Sequence, residues 1–184
     1  MFGQILSFLI QTVFGLFVYL VLLRFMMQAC RAPFRNPLGQ FVMALTDWAV
    51  RPMRRIVPGA GGLDLATLLL AWVALVVKTL LLYALISGTA SIGVALILPV
   101  FELMRALLHL VIIVTIIHAI LSWVSPYNPF SAVFDALTRP FYAVFRRFVP
   151  PIGGIDLSPL FVIIVAQILL IVLDHLPPAV LTSL

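Results

Sequence analysis

The chain reads NPLGQFVMALTDWAVRPMRRIVPGAGGLDL at residues 36–65 and NPFSAVFDALTRPFYAVFRRFVPPIGGIDL at residues 128–157. Thirteen of these 30 positions are identical at a constant offset of 92 residues, half of the 184-residue chain, against about two expected by chance. Self-similarity at a fixed period indicates a repeated structural unit. The sequence therefore predicts a duplicated fold, with one unit at residues 1–91 and the other at residues 92–184.

Long apolar segments lie on both sides of each repeated stretch. Because a helix of about 20 residues crosses a hydrocarbon core about 30 Å thick, each segment is expected to be a transmembrane helix. Apolar residues make up 64% of the chain and charged residues 9%, which excludes a water-soluble globule and a disordered chain. We therefore predict an all-α membrane protein with four transmembrane helices, at about residues 2–23, 65–86, 106–124 and 157–173.

The residues from 92 to 104 give a mixed signal, since Gly93, Pro99 and Glu102 interrupt an otherwise apolar stretch. We predict an interfacial segment that leads into the third span. A continuous helix from 92 to 124 would be about 50 Å long and would have to bend near Pro99 or project from the bilayer. A fifth span here is rejected, because it would place the two basic connectors on opposite sides of the membrane.

Arginines are concentrated in the connector that follows the first span and in the one that follows the third span. The first connector carries six arginines, and the second carries Arg139, Arg146 and Arg147. In membrane proteins such basic segments stay on the cytoplasmic side. We therefore expect a multipass membrane protein with its basic loops in the cytoplasm and both termini on the opposite face of the membrane. The two units are then parallel repeats, related by an axis along the membrane normal.

Each basic connector contains a predicted amphipathic helix, at about residues 37–56 and 129–148. Asn36-Pro37 and Asn128-Pro129 are typical helix starts. The asparagine side chain accepts a hydrogen bond from a free backbone N–H group of the first turn, and proline at the first helical position lacks only an N–H group that would have no partner there. In the second copy the apolar residues recur at three- and four-residue steps, at Phe134, Leu137, Phe141, Phe145 and Phe148. With the arginines opposite, this pattern is typical of a helix lying in the membrane interface.

The arginines of these helices are the candidate residues for lipid or partner binding: Arg54, Arg55, Arg139, Arg146 and Arg147. A basic side chain near an anionic leaflet contributes about 1 kcal/mol, so orientation and anchoring on anionic head groups explain them without a specific site. The alternative is a partner protein or a particular phospholipid. A homo-oligomer is a further partner to consider, and no nucleic acid is expected.

A second repeated motif joins each amphipathic helix to the span that follows it. Its residues are Gly61, Gly62 and Asp64 in the first copy and Gly153, Gly154 and Asp156 in the second. Paired glycines permit a sharp turn with positive φ, and an aspartate before a helix caps its first turn. An Asp–Arg ion pair and a duplicated cation site are the alternatives.

Three polar residues inside the predicted spans form a candidate intramembrane site: Lys78, His118 and Gln167. Ionisable groups at this depth are functional candidates by default. Lys78 is close enough to the outer interface to extend toward it or to meet Glu102. For His118 the sequence leaves three interpretations open: a hydrogen-bonding residue between helices, a proton relay, or a metal or haem ligand. Because His109 lies on the opposite face of the same predicted helix, no haem site, metal site or cofactor is expected.

Catalytic motifs are not found in the sequence: there is no HExxH, no pair of intramembrane aspartates and no Gly-x-Ser-x-Gly. The protein is therefore predicted not to be an enzyme. Instead, LSWVSPYNPF at residues 121–130, followed by Arg139-Pro140, Arg146-Arg147 and PPIGGIDLSP at residues 150–159, resembles the signature of the YggT family. The first half carries a degenerate copy, with Ala66-Thr67 in place of Ser158-Pro159.

The resemblance implies two YGGT repeats and a bacterial inner-membrane protein. Members of the family have been linked to osmotic or ionic stress tolerance, to cell division and, in plastid relatives, to haem attachment during cytochrome assembly. No catalytic residues come with the family. We expect a non-enzymatic module that binds lipid or protein during membrane-complex assembly. The alternative is an oligomeric ion channel or a transporter component in osmotic regulation.

Overall fold

The chain folds into six α-helices over the residues that this computed structural model describes, namely 1–59, 62–86, 91–124, 129–147 and 156–181. In chain order they are α1 (Phe2–Ala29), α2 (Pro37–Ile56), α3 (Leu65–Ile86), α4 (Ile92–Val124), α5 (Ser131–Arg146) and α6 (Ser158–Leu181). Within these described ranges, four segments are long and apolar enough to cross a membrane: Phe2–Ala29, Leu65–Leu85, Ile92–Val124 and Ser158–Leu176. The prediction of an all-α membrane protein with four transmembrane helices is confirmed.

Each half of the chain contributes two spans with a short amphipathic helix between them. In the first half α1 packs on α3, and in the second half α4 packs on α6, so the same pair of spans is in contact in both. Contacts between α3 and α4, and between α1 and α5, join the halves into one helical body. The amphipathic helices α2 and α5 lie at one end of this body, which we call the basic end.

The start of α2 follows from three residues of the repeated motif. The Asn36 side chain accepts a hydrogen bond of 2.9 Å from the Gly39 backbone N–H, and Pro37 occupies the first helical position. Gly39 packs so closely on the preceding chain that an added Cβ would lie 2.5 Å from the Phe34 carbonyl oxygen. Any larger residue would therefore push α2 away from the end of α1. The equivalent cap at Asn128 lies outside the described residues.

The helix of the third span starts earlier than the predicted residue 106, because α4 runs without interruption from Ile92 to Val124. Proline withholds one backbone hydrogen bond and usually bends or ends a helix. Here Pro99 and Ala95, four residues apart on one face, are both buried. Packing of this face stabilises the helix across the proline. With 33 residues, α4 is about 50 Å long. This length exceeds the thickness of the bilayer hydrocarbon core, as expected from the sequence for a continuous helix over these residues.

Three other helices differ in length from the prediction. α1 continues to Ala29, six residues beyond the predicted end at 23, because Arg24 is accommodated inside the helix bundle rather than ending the span. α6 continues to Leu181, eight residues beyond the predicted end at 173, although it contains Pro177 and Pro178. α5 is shorter than predicted, at Ser131–Arg146.

The main apolar core joins both halves near the basic end. It combines residues of α1, α3, α4 and α5, among them Val21, Leu22, Met27, Ala71, Val114, Val133 and Leu137. A smaller cluster joins α4 and α6 around Ile112, Ala166 and Leu170. Many other large apolar side chains on the spans are exposed, as expected for surfaces that face lipid.

Candidate functional site

The end of α2 is attached to the start of α3 by an ion pair between Arg54 and Asp64. The Arg54 guanidinium donates to one Asp64 carboxylate oxygen from Nε at 2.9 Å and from Nη2 at 2.5 Å. Nη2 also donates to Gln28 Oε1 on α1 at 3.0 Å. The Thr67 hydroxyl donates to the same carboxylate. We call this ion pair, together with its counterpart in the second half, an Arg–Asp bracket, because it joins an amphipathic helix to the following span.

The second half repeats this bracket at the predicted offset. Arg146 donates to Asp156 Oδ2 from Nε at 3.0 Å and from Nη2 at 2.6 Å. The Ser158 backbone N–H donates 2.9 Å to the other oxygen, Oδ1. The two aspartates therefore act as helix caps and as ion-pair partners at the same time. Sequence reasoning treated these two roles as alternatives.

Both bracket aspartates lie just before a span, and both have a lowered pKa. Burial alone raises the pKa of Asp64, but hydrogen bonds from Arg54 and Thr67 and the Arg54 charge lower it further than burial raises it. Asp156 behaves in the same way: burial raises its pKa, and hydrogen bonds from Ser158 and Arg146 outweigh that effect. Both carboxylates are therefore ionised at neutral pH and remain paired with arginine.

The first bracket is the more deeply buried of the two. Asp64 is 3% exposed and Arg54 is 42% exposed, whereas Asp156 is 30% exposed and Arg146 is 53% exposed. The turn that precedes Asp64 contains Gly62 at a φ of +81°, a conformation that glycine adopts without strain. Gly61, Gly153 and Gly154 lie outside the described residues.

The five candidate arginines therefore fall into two groups. Arg54 and Arg146 are held by carboxylates, so their first role is to fix the fold at the basic end. The side chains of Arg55, Arg139 and Arg147 are exposed, and they have no hydrogen bond or ion pair within the described part of the chain. These three remain available to a ligand.

The two amphipathic helices present their apolar residues differently. On α2 three large apolar side chains are exposed in one stripe: Phe41 at 54%, Leu45 at 42% and Trp48 at 72%. The apolar stripe of α5 instead packs on the protein: Phe134 and Leu137 are buried in the core. Phe148, the last predicted member of the α5 stripe, lies outside the described residues. Among the residues that the structure describes at the basic end, a broad exposed apolar face is thus found on α2 and not on α5.

A buried arginine, which sequence reasoning treated only as part of the basic connector, attaches α2 to α1. Arg24 is 4% exposed, and its Nη1 lies 2.7 Å from Thr46 Oγ1 and 2.7 Å from Asp47 Oδ1. Asp47 also receives Arg51 Nη2 at 2.6 Å. The only signal in the sequence was an arginine within helical reach of the first span.

The equivalent contact in the second half uses a histidine. His118 Nε2 lies 2.6 Å from Asp135 Oδ1, and His118 Nδ1 lies 3.2 Å from the Tyr142 hydroxyl. Thr138, which corresponds to Thr46 at the offset of 92, lies 3.5 Å from the same ring. Burial, followed by the nearby Asp156 charge, raises the pKa of Tyr142 to about 12. His118 therefore joins α4 to α5 as a hydrogen-bonding residue.

The remaining intramembrane candidates are not gathered into one site with His118. Lys78 Nζ on α3 lies 2.5 Å from Glu102 Oε2 on α4, and Arg105 on α4 pairs with Asp174 on α6 at 2.6 Å. Gln167 is exposed on α6. Beside the first of these pairs lies a cavity of about 240 Å³, whose lining includes Tyr19, Lys78, Glu102, Arg105 and His109.

Metal ligands do not cluster in the part of the chain that the structure describes. No group of three or more histidine, cysteine, aspartate or glutamate residues could hold an ion there. The polar contacts described above attach helices to one another and pair charges.

Comparison with known proteins gives a consistent result over most of the chain. The family profile described as CCB3/YggT matches residues 3–85 and 97–176, one segment in each repeat. An uncharacterized protein in the proC 3′ region of Vibrio alginolyticus is 43% identical over 166 residues, covering 88% of this chain and 89% of the relative. The uncharacterized protein YggT of Escherichia coli K12 is 33% identical over 165 residues, covering 89% and 86%. No solved structure matches.

Proposed function

The chain belongs to the CCB3/YggT family, and the two segments of the chain that match the family profile fall one in each repeat. We propose that the protein is a non-enzymatic assembly module of the bacterial inner membrane. In this role the four spans hold α2 and α5 at the membrane surface. The exposed face of α2 then binds another membrane protein, and free arginines bind the anionic head groups around it.

The proposed orientation places the basic end in the cytoplasm and both termini in the periplasm. Eight of the eleven basic residues lie in the two connectors at the basic end. Arg24 lies near the same end inside α1, and Lys78 and Arg105 are the two that lie elsewhere. Both of these are paired with carboxylates. Since unpaired basic residues near span ends set orientation, all the free arginines favour the same side.

The observation that carries this proposal is the contrast between the two faces of α2. One face is fixed to the bundle through Arg24, Asp47 and Asp64. The other exposes Phe41, Leu45 and Trp48, next to the unpaired Arg55. A rigid helix with an exposed aromatic and aliphatic stripe has the composition of a protein-binding surface. Roles in osmotic or ionic stress tolerance or in cell division would follow from the partner that is bound.

Site-specific photocrosslinking in living cells tests this proposal. A photoreactive residue at Leu45 is expected to give one discrete protein adduct, and the adduct should weaken when Trp48→Ala is added. The matched control places the same residue at Ile164, which is similarly exposed on the lipid-facing side of α6. Absence of any protein adduct at Leu45, with normal expression, would contradict the proposal.

The alternative of an ion channel or transporter component is supported by one observation, the charged cavity beside Lys78 and Glu102. Ionisable groups lining a cavity within the spans are a usual feature of ion pathways. Flux into liposomes containing the purified protein tests it. Uptake that is abolished by Lys78→Met and kept by Gln167→Ala would replace the assembly module with a transport function. The assembly proposal predicts no flux in any of these proteins.

A further inference from the structure

An open groove lies between the end of α1 and the side of α5, where the two repeats meet at the basic end. Its volume is about 450 Å³, and its lining includes two arginines, Arg31 and Arg139, and four small apolar residues, Ala29, Ala136, Pro140 and Ala143. The groove thus combines two positive charges with small apolar side chains. No acidic side chain is among the residues that line it.

The two groove arginines differ from the arginines that are held by carboxylates. Within the described ranges, five of the ten arginines pair with carboxylates: Arg24, Arg51, Arg54, Arg105 and Arg146. The guanidinium groups of Arg31 and Arg139 have no hydrogen bond or ion pair to any described residue. Two uncompensated positive charges on one groove favour an anionic ligand.

Arg31 also occupies a conformation that is unusual for its residue type. It has a φ of +53°, and no other non-glycine residue in the described ranges has a positive φ. The helix α1 ends here with Arg31 N–H donating to Gln28 O at 3.1 Å and Ala32 N–H donating to Met27 O at 2.7 Å. Glycine is the usual residue at this position of such a helix end. An arginine here is strained relative to glycine, and it places a guanidinium at the groove.

The charge at position 139 is also specific to the second repeat. The equivalent residue in the first repeat is Asp47, which is paired with Arg24 and Arg51. The duplicated scaffold therefore carries a neutralised carboxylate in one copy and a free guanidinium in the other. Nothing in the packing of α5 requires this reversal, since Arg139 is exposed.

We infer that this groove binds the phosphate of an anionic phospholipid from the surrounding leaflet. Arg31 and Arg139 donate to the phosphate oxygens, because guanidinium groups match the geometry of phosphate. The glycerol and the first part of an acyl chain lie along the small apolar residues of the lining. Basic pockets beside spanning helices bind anionic head groups in this way. This inference rests on the proposed function only in placing the basic end at a membrane surface.

The single cysteine of the chain, Cys30, is a built-in reporter, since it lines the same groove. The full-length protein is placed in nanodiscs of phosphatidylglycerol or of phosphatidylcholine, and the rate of Cys30 alkylation by neutral N-ethylmaleimide is measured. Because burial raises the pKa of the Cys30 thiol, labelling is run at about pH 9. We expect alkylation to be about fivefold slower in phosphatidylglycerol, which corresponds to about 1 kcal/mol of protection.

Two variants separate binding from folding. Arg31→Gly keeps the helix end and relieves its backbone strain, so it should leave the protein at least as stable while abolishing the protection. Arg139→Gln should also abolish it. The matched controls Arg35→Gln and Arg55→Gln remove exposed arginines outside the groove and should keep it.

Three results would overturn the inference. These are equal alkylation rates in the two lipids, protection that survives both Arg31→Gly and Arg139→Gln, and protection by inorganic phosphate alone in detergent. The last result would assign the groove to a free anion. None of these results affects the Leu45 adduct, so failure of the groove and failure of the proposed function are distinguishable.

Discussion

Arg54 and Asp64 are ten residues apart in the chain and lie 2.5 Å from each other, and the same geometry recurs between Arg146 and Asp156 at 2.6 Å. Each pair attaches the end of an amphipathic helix to the residue that caps the next span. The repeated motif is therefore a device that fixes the angle between a surface helix and a transmembrane helix.

Loss of the first bracket should cost more stability than loss of the second. Arg54→Ala leaves Asp64 buried without its cation, and we expect about 2 kcal/mol of destabilisation. Arg146→Ala should cost about 1 kcal/mol or less, because both partners are partly solvated. Equilibrium unfolding in mixed detergent micelles measures both values. Arg55→Ala is the matched control, and a larger loss in Arg146→Ala would contradict the structure.

The brackets should also make the protein sensitive to acid. Because the folded-state pKa values of Asp64 and Asp156 lie below the ordinary value of 3.8, both groups stabilise the fold above that value. This contribution is lost as the pH falls below about 4 and through the lowered pKa values. The melting temperature of the wild type should therefore drop steeply in this range. Asp64→Asn should start lower and show a flatter profile, and parallel profiles would contradict the assignment.

Arg24 is expected to be the most sensitive single position at the basic end. Arg24→Ala removes the cation that holds Thr46 and Asp47 and leaves a partly buried carboxylate, which should cost about 3 kcal/mol. The double variant Arg24→Met with Asp47→Leu replaces the pair by apolar groups and should recover much of that loss. If the double variant were less stable than Arg24→Ala, the buried pair would not be the cause.

The His118 contact should act on α5 alone. We expect His118→Phe to increase hydrogen exchange of the α5 amides about tenfold, which is 1.4 kcal/mol of local opening, with little change in α2. Tyr142→Phe removes one of the same hydrogen bonds and should give a smaller effect. Equal acceleration in α2 and α5 would mean that the variant loosens the whole bundle.

The sequence was sufficient for the features that depend on local pattern. Four apolar runs and an offset of 92 residues determine the number of spans and their pairing. Asn36 and Pro37 mark the start of α2 because capping needs only neighbouring residues. The second-repeat cap at Asn128 stays a prediction, since it lies outside the described residues.

The features that escaped prediction depend on how helices cross. Arg24 is buried because α2 crosses α1 and places Thr46 and Asp47 beside it, which no local pattern records. His118 meets Asp135 and Tyr142 for the same reason, at separations of 17 and 24 residues. The length of α4 was not predicted, because tertiary packing at Ala95 and Pro99 outweighs the tendency of proline to end a helix.

The central claim is that two parallel repeats present both basic helices on the cytoplasmic side of one membrane. Cysteine labelling tests it most directly. Arg55→Cys and Arg147→Cys are made separately in a Cys30→Ser background and treated with a membrane-impermeant maleimide. We predict that neither cysteine reacts in intact cells and that both react after the inner membrane is opened. Labelling of only one of the two in intact cells would contradict the account.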